Sequence, residues 1–92
     1  MTLLETVRDL GSLDGGDTIY AEEPWTAGSQ VIIAREADAG GQPVEAQKLG
    51  LKYFLEVFLA REFLEGWTEN LDIEPTAPEM TARLIQYALT DA

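Results

Sequence analysis

Apolar positions recur along this chain with two different periods, and the changes of period divide it into elements. Residues 2–10 repeat at helical spacing, with Leu3, Leu4, Val7 and Leu10 on one face. Thr2 stands where an N-cap belongs, and Glu5 three residues on completes a capping box. Gly11 follows at the place for a left-handed residue to end the helix. Asp14-Gly15-Gly16-Asp17 has the composition of a turn. From Thr18 to Glu22 the period shortens to two, and Pro24, which has no N–H for a sheet ladder, stops that strand. After a loop at 25–28, residues 30–35 are the clearest strand in the chain. Two successive strands with a short connection predict an antiparallel pair, and so small a ribbon must lie against helices.

Residues 37–43 hold Gly40-Gly41 and Pro43 and predict a loop, with a helical start near Val44. Leu51–Trp67 is the most apolar stretch. Leu55, Leu59, Phe63 and Trp67 recur every four residues beside Leu51, Phe54 and Phe58, with Arg61, Glu62 and Glu65 opposite, which predicts one continuous amphipathic helix with Trp67 in the core. Leu51, Tyr53, Leu55 and Val57 also alternate, so the alternative is a third strand at 52–56 feeding a shorter helix from Val57. Residues 71–78 form a connector with two prolines, and Thr76 with Glu79 repeats the capping-box pattern before a last helix reaching about Thr90. The expected fold is one α+β domain over residues 1–92: a short N-terminal helix, a sheet of two antiparallel strands or three, a long amphipathic helix and a C-terminal helix packed on it.

Ninety-two residues suit a single domain. The absence of Cys and His removes thiol nucleophiles, disulfides, imidazole acid–base catalysis and thiolate or imidazole metal sites. Lack of cysteine staples favours a reducing setting, and Glu5, Arg8 and Asp9 interrupt any signal-peptide core. A cytoplasmic location is expected, with no membrane association. Seventeen acids against six bases give a net charge of −11. That sign repels phosphate backbones and anionic lipid, disfavouring nucleic-acid binding through a basic patch, and attracts a basic protein surface.

Chemistry would fall to carboxylates, Lys48, Lys52 or hydroxyls. Glu22-Glu23 is an adjacent acid pair, but neighbours on a strand point to opposite faces, which makes solvated strand-end acids the simpler expectation. Asp14-Gly15-Gly16-Asp17 lacks the alternating acids and closing Glu of a calcium loop, and no phosphate-binding glycine motif is present. Neither a metal nor a cofactor is expected. Asp9 to Glu23 carries five acids and no base, and Glu62 to Glu79 six acids and no base. Brought together, these blocks would make a single-sign surface able to steer a cationic partner; facing apart, they are solvated rims. Trp25, behind Glu22-Glu23-Pro24, is either an interface anchor or a lid folded over the hairpin.

The segments Ile19-Tyr20-Ala21-Glu22-Glu23-Pro24-Trp25 and Tyr53 to Trp67 (YFLEVFLAREFLEGW) resemble a family of small acidic bacterial proteins of unassigned function. The resemblance implies a compact cytosolic domain with no established activity, loosely like immunity or accessory partners of toxins, and carries over no functional residue. The expectation is therefore a non-enzymatic interaction module binding a basic protein. Its candidate contacts are Glu22, Glu23 and Trp25, with Glu69 and Asp72 as a second patch. A homodimer through Leu51–Trp67 is the alternative, and a carboxylate-dependent hydrolase comes third.

Overall fold

The architecture turns on a change of period at Glu56. The structure, a computed structural model, describes residues 1–35 and 43–91, without the side chain of Asp91. Its elements are α1 (Leu3–Arg8), a 3-10 turn (Leu10–Ser12), β1 (Thr18–Ala21), β2 (Val31–Ala34), α2 (Val44–Lys48), β3 (Lys52–Glu56), α3 (Val57–Thr68) and α4 (Ala77–Asp91). The three strands form one antiparallel sheet in the order β2-β1-β3, so the fold is α+β. The continuous helix over Leu51–Trp67 is not formed: residues 52–56 are the third strand. Their apolar pattern fits either period, and the edge of β1 left open by β2 takes them as a strand. Most of the loop expected at 37–43 lies outside the described residues.

The register explains how so short a strand supplies two large core residues. Ile19 faces Leu55, but the next pair is Tyr20 with Tyr53, which leaves Phe54 as the extra residue of a bulge. Strict alternation would send Phe54 and Leu55 to opposite faces; with the bulge both are buried in one cluster. That cluster joins Ile19, Ala21 and Val31 of the sheet to Leu3 and Val7 of α1, Val57, Ala60 and Leu64 of α3, and Leu84 and Ala88 of α4. A smaller cluster holds Tyr20, Ala46 and Leu51 beside Ile32 and Ala34. Tyr20 and Ile32 are the strand neighbours of residues in the main cluster, so the small one covers the other face of the sheet. Gly50, at φ 71°, takes the left-handed turn between α2 and β3. Gly11 does not have that role. It sits inside the 3-10 turn, because the chain tightens after α1 without reversing.

Both capping boxes form. Thr2 N–H donates to the Glu5 carboxylate at 2.8 Å and Glu5 N–H to Thr2 Oγ1 at 3.2 Å. Thr76 N–H donates to the Glu79 carboxylate at 3.0 Å and Glu79 N–H to Thr76 Oγ1 at 3.3 Å. The loop after β1 completes the first helix start, since the Ser29 and Ala27 carbonyls accept from Leu3 and Leu4 N–H. Hydrogen bonds from the Thr2 and Thr76 backbone N–H groups hold the Glu5 and Glu79 carboxyls below their ordinary value of 4.5. A depressed carboxyl stabilises the fold above its unfolded-state pKa, and that contribution disappears as pH falls through the folded value. Thermal melts of wild type and Glu79→Ala are accordingly expected to differ at pH 7, with the gap beginning to close below about pH 4.5 and vanishing in stronger acid. A gap that persists unchanged in strong acid would remove the ionised cap as its cause. Among the described residues no helix is long and apolar enough to cross a membrane.

Candidate interaction surface

The connector between α3 and α4 places alternating apolar and acidic residues against the helix ends. α3 closes with Thr68 Oγ1 donating to the Glu65 carbonyl at 3.2 Å and Asn70 Nδ2 to the Gly66 carbonyl at 3.2 Å. α4 cannot begin before its Thr76 cap, with Pro78 in its first turn. The intervening residues, Leu71-Asp72-Ile73-Glu74, are exposed, and Ile73 is 82% exposed. Single exposed aliphatics are common, but this one lines a hollow that shares a wall with a second.

The larger hollow, of about 470 Å³, lies between the C-terminal end of α1, the second half of α3 and the connector. Val7, Leu10, Leu64, Leu71 and Met80 make its apolar lining, with Glu65 and Glu74 beside them. The second, of about 390 Å³, shares the wall Leu71–Glu74–Pro75 and is lined further by Trp67, Ile73, Asp72 and Glu79. Arg61 is a base among these lining residues, and its guanidinium is already engaged. Nε donates to the Leu10 carbonyl at 3.1 Å, and Nη2 donates to the same carbonyl at 2.9 Å and to the Leu13 carbonyl. It thereby fastens the 3-10 turn, which forms one wall of the larger hollow, to α3.

Asp72 is in the second hollow, and Glu69, the C-cap of α3, is exposed just before the connector. Glu22 and Glu23 are exposed on the loop after β1, and Glu22 N–H donates to the Gln30 carbonyl at 3.0 Å. That loop caps the N-terminus of α1, whereas the larger hollow, which shares a wall with the one holding Asp72, opens at its C-terminal end. Along α1 the two candidate patches therefore occupy opposite ends. The acid blocks approach each other only in part: Gly11, inside the first block, lines the same hollow as Glu65 and Glu74. Trp25 is half-buried, with its ring edge-on to Phe54 at 4.9 Å and 87° and its Nε1 donating to the Ala21 carbonyl at 3.4 Å. Trp67 is half-buried as well, packed on the main cluster while lining the second hollow.

Asp14 and Asp17 are held by Arg35, at 3.0 and 3.4 Å. The Gly16 N–H, donating to Asp14 at 2.8 Å, and then the charge of Arg35 keep the Asp14 carboxyl below its ordinary 3.8. Among the described residues no three acids cluster closely enough to hold a metal ion. Glu65 and Glu74 were read from the sequence only as members of the second acid block, and Leu71 and Ile73 were not among the candidates; the alternation of Leu71-Asp72-Ile73-Glu74 between two helices was the available signal. Searches of protein-family models, of curated proteins and of solved structures find no match to this chain.

Proposed function

We propose that this chain is a non-enzymatic interaction module of the adaptor, accessory or immunity kind that binds a basic protein surface in the cytoplasm, akin to the small acidic bacterial proteins it resembles. The observation that carries this reading is the juxtaposition of apolar lining and carboxylates beside the α3–α4 connector in a chain of net charge −11. Long-range attraction would speed encounter with a cationic partner, and apolar burial would retain it. Glu22, Glu23 and Trp25, and separately Glu69 and Asp72, are the proposed contacts.

The test is calorimetric titration with a partner purified from the native host. Its affinity should fall about tenfold or more between low and high salt, and a double reversal, either Glu22→Lys with Glu23→Lys or Glu69→Lys with Asp72→Lys, should weaken it comparably without lowering the melting temperature. Salt-independent binding that neither double reversal affects would overturn the reading. A homodimer through Leu51–Trp67 is the second reading, favoured by the exposure of Tyr53 and Phe58. Sedimentation at micromolar concentration separates the two, against the repulsion of two copies carrying −11 each.

A further inference from the structure

Two apolar hollows divided by a shared wall, with carboxylates on both sides of that wall, specify more than a preference for positive charge. The connector's most exposed apolar residue, Ile73, stands between Asp72 and Glu74. The larger hollow offers Leu10, Leu64 and Met80, the smaller Trp67 and Ile73. A uniformly basic, hydrophilic surface would meet the carboxylates and leave both linings in water. A neutral apolar segment would cover the linings while desolvating Glu65, Glu74 and Asp72 without compensation, which is costly. A segment carrying both apolar side chains and bases avoids both losses.

We infer that the double hollow beside the α3–α4 connector seats a Lys/Arg-rich amphipathic segment of a partner protein, whose apolar face enters the hollows while its bases meet Glu65, Glu74 and Asp72. This inference rests on the proposed function and narrows it to one site and one ligand chemistry. Arg61 offsets one of these carboxylates, but its Nε and Nη2 are spent on the Leu10 and Leu13 carbonyls and the lining keeps an excess of acids.

The probe is a synthetic Leu/Lys peptide of about 14 residues with its leucines on one helical face, titrated into the isotopically labelled protein at low salt. A matched peptide with Ser for Leu and one with Glu for Lys serve as controls. Amide shifts are expected at Leu64, Glu65, Thr68, Leu71 and Ile73, with the Ser peptide binding at least about tenfold more weakly and the Glu peptide not at all. Ile73→Ser and Glu74→Lys alter exposed residues, should leave the melting temperature in place, and should each weaken the Leu/Lys peptide about tenfold. Equal affinity for the Leu/Lys and Ser peptides, or shifts confined to Glu22–Trp25, would overturn the groove while leaving the basic-partner function standing. No binding of either cationic peptide would overturn both.

Discussion

Phe54→Ala is expected to remove most of the stability of this protein. Phe54 is fully buried, is the extra residue of the β-bulge, and takes the edge of Trp25 at 4.9 Å. Truncating a buried Phe costs about 3–5 kcal/mol, the transfer loss of the ring plus the cavity it leaves. A domain of this size has a total on the order of 5 kcal/mol or somewhat more. Urea titration followed by circular dichroism should therefore show the variant's unfolding midpoint moved most of the way to zero denaturant. Phe58→Ala, four residues on, is the control: that ring is 45% exposed, and its loss should cost less than about 1 kcal/mol. Comparable losses at the two positions would mean that the bulge does not deliver Phe54 to the core. Phe54→Leu, which keeps most of the volume, should cost less than about 1.5 kcal/mol.

The same residue marks the limit of what pattern could decide. Spacing around Phe54 satisfies a helix and a strand equally, and local propensity does not separate them, since Tyr53, Phe54 and Val57 are at home in strands while Leu55 and Glu56 favour helix. What settles it is the unpaired edge of β1, a long-range partner that no local window contains. The helix starts were legible for the opposite reason. Thr2 with Glu5 and Thr76 with Glu79 carry their hydrogen-bond partners within three residues, so the chemistry is complete in the local sequence. Gly11 shows how such local logic misleads: a glycine in the right place need not use its freedom when the chain runs on into a 3-10 turn, where Ser12 and Leu13 N–H donate to the Asp9 and Leu10 carbonyls.

For the candidate surface, the sequence supplied charge but not adjacency. Glu69 and Asp72 adjoin Leu71 and Ile73 in the chain, so that half of the surface could be read directly. Its other wall comes from Val7, Leu10 and Gly11, more than fifty residues away. Only the packing of α1 on α4 and of the 3-10 turn on α3 brings it there. Trp25 was recognisable as unusual, yet whether it anchors a partner or covers the hairpin depends on Phe54, which the bulge delivers from the third strand.

Arg61 holds that adjacency in place, and its removal is expected to cost both stability and the shape of the larger hollow. Arg61→Met keeps the aliphatic stem but withdraws the donors to the Leu10 and Leu13 carbonyls. Hydrogen bonds to a charged group are worth about 1.5–3 kcal/mol, and the Leu13 carbonyl loses its guanidinium partner without a replacement from the variant. Arg61→Lys should recover only part of the loss, because one ammonium cannot reproduce a fork reaching two carbonyls. Two consequences for binding oppose each other. The variant is one unit more acidic, which favours a cationic peptide, but the 3-10 turn carrying Leu10 and Gly11 is no longer fastened to α3, which dismantles one wall of the larger hollow. Screening decides between them. At about 0.5 M salt the charge gain is largely suppressed while the geometric loss persists, so Arg61→Met should bind the Leu/Lys peptide more weakly than wild type there. Undiminished stability and affinity in that salt would show that the turn keeps its place without Arg61.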